Sequence, residues 1–169
     1  MKKWLFTAAL LLLFAALIGC GRKKQENAPQ KETQKEPETV GEILLEDFEQ
    51  YRKENPEAGV QETADHLLSN PIIQFGGATM TVEEGLLTGF NNAEITGFDE
   101  GVMFAPMIGS IPFVGYVFSL PEKADTEAFI QLLTDNADPR WNVCTQADET
   151  ITGKAENMVF FVMSPAKFE

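Results

Sequence analysis

Residues 5–18 carry no charged side chain and follow Lys2, Lys3 and Trp4. This run decides how much of the chain is left to fold. It is shorter than the roughly 20 apolar residues that span a bilayer as a helix. A positive start followed by about 7–15 apolar residues is instead the layout of a secretory leader. Residues 1–19 are therefore set aside as a signal peptide. Residues 20–40 hold five cations, four Glu, two Pro and no aromatic side chain. Such a segment buries too little apolar surface to offset its ordering entropy. It reads as a flexible tether of about 20 residues, which by coil scaling lifts the rest of the chain roughly 25 Å. Residues 41–169 remain, enough for one hydrophobic core.

The leader ends in Leu17-Ile18-Gly19-Cys20. This sequence resembles the lipobox of bacterial lipoproteins: an aliphatic residue, two small or tolerated residues, then an obligatory Cys. The resemblance implies that the Cys20 sulfur receives a diacylglycerol. A lipoprotein signal peptidase recognising Leu17, Ile18 and Gly19 would then cut before Cys20. The chemistry requires a thiolate nucleophile at that position. The implied location is the cell membrane, with the protein lipid-anchored and facing outside the cytoplasm. Arg22, Lys23 and Lys24 follow the anchor and suit anionic headgroups.

Charge narrows the partners. Lys and Arg total 13 and Asp and Glu 26, for a net charge of −13. Removing the four tether acids from 26 leaves 22 in residues 41–169, against six cations, so the domain carries −16. Nucleic acid is excluded, because such a surface repels phosphates. The acidity reads as solubility of an exported body.

Local signals sketch the domain. Thr39 to Glu42 fit a capping box, and Leu44, Leu45, Phe48 and Tyr51 follow at helical spacing up to Asn55-Pro56. A second short helix is expected over 61–69. Residues 72–80 read as a strand interrupted by Gly76-Gly77. Residues 81–84 offer a cap for a weak helix. Residues 95–98 and 102–105 flank Asp99-Glu100-Gly101 as a hairpin. Residues 113–120 form a dense apolar strand, buried on both faces. Asp125 or Thr126 caps a helix bearing Ala128, Phe129, Leu132 and Leu133. Strands are expected over 141–145, 150–152 and 158–163.

The sum is an α+β fold: one domain, an antiparallel or mixed sheet with helices mainly on one face, and a C-terminal strand–helix–strand–strand unit. In that layout the C-terminal half is also similar to small exported bacterial lipoprotein domains of unknown function, a likeness that assigns no site residues. Residues 102–120 lack charge and are long enough to cross a membrane, but Pro106, Gly109, Pro112 and Gly115 interrupt them. They read as two strands joined by a loop over 106–112. Met107, Ile108 and Ile111 in that loop are a candidate binding edge if exposed, and core if turned inward.

Catalytic constellations fail one by one. The single histidine, His66, lies beside Leu67 and Leu68 in a helical stretch and reads as structural or surface. Gly109-Ser110-Ile111-Pro112 lacks the closing Gly of a nucleophile elbow. Ser164 to Lys167 match Ser-x-x-Lys without its partner motifs. Cys144 is the one thiol left if Cys20 is alkylated, and Trp141 and Val143 beside it suggest burial. One His and one such Cys do not make a zinc site. The segment starting at Asp135 breaks the EF-hand pattern at Ala137, Arg140 and Gln146. No catalytic residue, metal or cofactor is assigned. The expected role is a binding or interaction module for a protein, peptide or envelope component. The alternatives are a cell-envelope hydrolase using acidic residues, or an accessory subunit of a transport or export complex.

Overall fold

A computed structural model describes residues 38–168. The leader, the lipobox Leu17-Ile18-Gly19-Cys20 and most of the tether lie outside the described residues. Two helices come first, α1 (Val40–Glu54) and α2 (Val60–Leu68). Strands β1 (Gly77–Val82), β2 (Gly85–Leu86), β3 (Glu94–Ile95), β4 (Glu100–Pro106) and β5 (Val114–Ser119) follow. Helix α3 (Thr126–Asn136) and strands β6 (Glu149–Ala155) and β7 (Met158–Ser164) complete the fold.

Five strands form one sheet in the order β1-β4-β5-β7-β6, every neighbouring pair antiparallel. β2 and β3 make a separate two-stranded ribbon. The fold is thus α+β with an antiparallel sheet, and its C-terminal part runs strand–helix–strand–strand. Helices α1 and α2 cover one face and α3 the other. The central strands explain this sandwich. Every residue of β7 is buried, as are five of the six in β5. Alternation sends Phe160, Val162 and Val117 toward α1 and α2, and Phe161, Val159, Tyr116 and Phe118 toward α3. Ring contacts knit each layer: Phe48 stacks on Phe160 at 5.5 Å, and Phe118 meets Phe129 edge-on at 5.3 Å.

The helix starts follow the local chemistry. Thr39 accepts from the Glu42 N–H while Glu42 accepts from the Thr39 N–H, each at 3.3 Å. Val40 is already core, 1 % exposed, and its N–H donates to Ala166. Asp125 caps α3 by accepting from the Ala128 N–H at 3.1 Å.

Four local expectations are corrected. Residues 72–76 are not strand; they form a turn and loop whose Ile72, Ile73 and Phe75 pack on the core from the side. Residues 81–84 start no helix. Thr81 and Val82 finish β1, and Gly85 (φ +139°) and Gly89 (φ +97°) hold conformations that a helix cannot contain. Residues 95–98 do not pair with 102–105. β4 pairs with β1, and Phe98 turns inward to meet Phe118 at 4.9 Å, so packing displaces the hairpin. Residues 141–145 are not a strand. Trp141 N–H bonds back to Asp138 and Thr145 N–H to Asn142, closing a turn.

Candidate binding surfaces at the two ends of the sheet

The strand register gives the sheet two ends. At one lie Gly77, Pro106, Val114, Glu149 and Ser164; at the other lie Val82, Glu100, Ser119, Ala155 and Met158.

The first end is apolar. The loop leaving β4 starts with the Met107 N–H bonded to the Gly76 carbonyl at 3.0 Å. Its tip is tied to the loop before β6 by Asn142 Nδ2, which donates to the Gly109 carbonyl. Three large apolar side chains stand out on these joined loops: Met107 at 74 % exposure, Ile108 at 69 % and Val143 at 99 %. Ile111 does the opposite and packs against the core cluster. The candidate edge is therefore split, with Met107 and Ile108 outward and Ile111 inward. A cavity of about 160 Å³ opens between the two loops, walled by Met103, Ile111, Phe113, Trp141 and Asn142.

Sequence reasoning missed Val143 and misplaced Cys144, which is exposed. The strand expected over 141–145 would have sent these neighbouring side chains to opposite faces; the turn that replaces it leaves both exposed. Cys144 should accordingly react with a thiol reagent such as a maleimide in the native protein, at a rate close to that in denaturant. Protection of more than about tenfold would contradict its exposure.

The second end is acidic. A cavity of about 560 Å³ is lined by Glu83, Glu84, Asp99 and Glu100 over an apolar floor of Val82 and Phe98. Glu84 is already engaged, accepting from the Gly97 N–H at 2.5 Å. No group of three or more His, Cys, Asp or Glu side chains is placed to hold a metal ion among the described residues.

The remaining chemical candidates are structural. His66 Nε2 lies 2.9 Å from Asp47 Oδ1, and its ring stacks on Tyr51 with centroids 4.0 Å apart. Asn70 donates to the other Asp47 oxygen at 2.7 Å, so the group clamps α2 to α1. Ser164, first residue of the Ser-x-x-Lys match, is buried and donates to Glu149 at 2.9 Å. Tyr116 donates to the Thr88 carbonyl at 2.8 Å, and burial pushes its hydroxyl well above the ordinary phenol range. No helix among the described residues is long and apolar enough to cross a membrane.

Comparison with protein-family models, with curated proteins and with solved structures finds no match.

Proposed function

We propose that the protein is a lipid-anchored extracytoplasmic binding module. Cys20 carries a diacylglycerol, with Leu17, Ile18 and Gly19 as the peptidase recognition residues. The folded domain meets a protein, peptide or envelope component through its apolar end. The observation that carries the binding reading is the pair of joined loops presenting Met107, Ile108 and Val143 to solvent. Three large apolar side chains exposed on loops tied to one another offer a contact surface of the kind that partners cover. A second reading is a hydrolase of cell-envelope material, supported by the four-carboxylate cavity at the opposite end.

Two measurements test this reading. Mass spectrometry of the native protein extracted from membranes should find an N-terminus at Cys20 with a diacylglycerol mass added. A bare sulfur or a retained leader removes the anchor. Photo-crosslinkers placed at Ile108 and at Glu100 should give adducts in cells mainly from the first position. Adducts confined to position 100, together with turnover of envelope material lost on Glu83→Gln or Asp99→Asn, would replace the binding module with the enzyme.

A further inference from the structure

We propose that the partner of the apolar end is the lipid bilayer itself. Met107, Ile108 and Val143 dip into the headgroup region of the membrane that holds the anchor, and the acidic cavity points away from it. This inference rests on the anchor reading of Cys20.

Three observations converge on it. The first is where the chain enters the domain. The Val40 N–H bonds to Ala166 at 3.0 Å, and the Gly41 N–H to Glu149 at 2.7 Å. Ala166 follows the end of β7 and Glu149 starts β6, so the tether joins the domain at the apolar end of the sheet. Cys20 lies 20 positions before Val40 in the sequence. A seven-residue strand such as β4 is itself roughly 23 Å long. Presenting the acidic end to the bilayer would require the chain after Cys20 to run back along the length of the sheet, whereas the apolar end requires no such detour.

The second observation is charge. Segments 69–77, 106–114, 139–147 and 164–168 build the apolar end, and their only charged residues are Arg140 and Lys167. Both are exposed. The neighbouring carboxylates of Asp138, Asp148 and Glu149 accept the N–H groups of Arg140, Ala166 and Gly41. Glu38 and Glu42 stand beside this end, at the start of α1. At the far end Glu83, Glu84, Asp99, Glu100, Glu122 and Glu156 are all exposed. Carboxylates thus flank both ends of a domain of net charge −16, and the apolar end differs in that its tip segments carry two exposed cations, Arg140 and Lys167, that suit anionic headgroups.

The third is the chemistry of the tip. Met, Ile and Val on short tied loops, with Trp141 half-buried behind them, match what a shallow interfacial contact buries.

The test uses the mature lipidated protein reconstituted into vesicles of phosphatidylethanolamine and phosphatidylglycerol. The chain's two tryptophans are Trp4, in the leader, and Trp141. Trp141 is thus the sole indole after cleavage. Replacing part of the lipid with a phosphatidylcholine brominated on its acyl chains should cut Trp141 emission by roughly half, the response of an indole within about 5–10 Å of the boundary. An environment-sensitive dye on Cys144 should brighten on the same vesicles. The double substitution M107E and I108E should abolish both signals while the protein still floats with the vesicles, and its circular dichroism melt should match the parent. Flotation without quenching overturns the docking tip and leaves the anchor standing; a protein partner then becomes the occupant of that end. Failure to float overturns the anchor and this inference together.

Discussion

Gly115→Ala should destabilise the domain by about 3 kcal/mol, the upper part of the range for overpacked cores. Gly115 sits in β5 between Phe104 of β4 and Val162 of β7. A Cβ there would collide with Cζ and both Cε atoms of the Phe104 ring. The ring cannot swing aside, because Phe113 stands 5.7 Å away and Phe160 6.5 Å away, centroid to centroid. Phe104 itself is fully buried. In a domain of this size the melting temperature should drop by roughly 10 °C, readable by calorimetry or urea titration. Gly153→Ala is the contrast. Its added carbon meets the methyl end of Leu45, a side chain only partly buried and free to rotate. Phe104→Leu should recover part of the Gly115→Ala loss, since the two sites share one volume. A Gly115→Ala loss below about 1 kcal/mol would show that the layer can relax and would falsify the close-packed account.

Arg52→Ala should cost about 1.5–3 kcal/mol, the range for losing charge-assisted hydrogen bonds. Arg52 is 4 % exposed and lies in the last turn of α1. Its Nη1 donates to the carbonyls of Asn55 (3.1 Å) and Ala58 (2.5 Å), and its Nη2 to that of Pro56 (2.8 Å). One planar fork thereby satisfies three carbonyls of the connection between α1 and α2. The guanidinium also reaches Glu156 in the β6–β7 turn at 3.4 Å. The Glu156 side chain is 66 % exposed, so that ion pair is screened and contributes little. Truncating Arg52 removes the donors to the Pro56 and Ala58 carbonyls, while the Asn55 carbonyl keeps the Ala58 N–H at 3.1 Å; truncating Glu156 orphans nothing that water cannot reach. Arg52→Lys should fall in between, because a point ammonium cannot span the fork. Chemical denaturation of the three variants decides the matter: equal losses for Arg52→Ala and Glu156→Ala would move the stabilisation from the carbonyls to the ion pair.

What could be read in advance divides along the range of the interaction. Thr39 with Glu42, and Asp125 with Ala128, are contacts within one turn, and they marked the starts of α1 and α3. β5 and β7 were visible as unbroken apolar runs, the signature of strands covered on both faces. The β3–β4 hairpin was misread because its rival is distant in sequence. Nothing around Phe98 announces that it will pack on Phe118 and Phe129. Residues 141–145 alternate like a strand, yet turn bonds to Asp138 and Asn142 close first. The candidate site shows the same division. Pro106 and Pro112 bracketed Met107 and Ile108 as a loop, whereas Val143 joins them only through the Asn142–Gly109 hydrogen bond across the chain.

The placement of β7 has a consequence for biosynthesis. It is the last strand among the described residues, yet it lies between β5 and β6 with all seven positions buried. Until it is made, β5 has no partner on that side, β6 has none at all, and both apolar layers lack their middle. Earlier segments therefore gain little by collapsing while synthesis is under way. Under the proposed export across a membrane that delay would be an asset, because a chain still pliant would fit the translocation channel and would lock only on the far side.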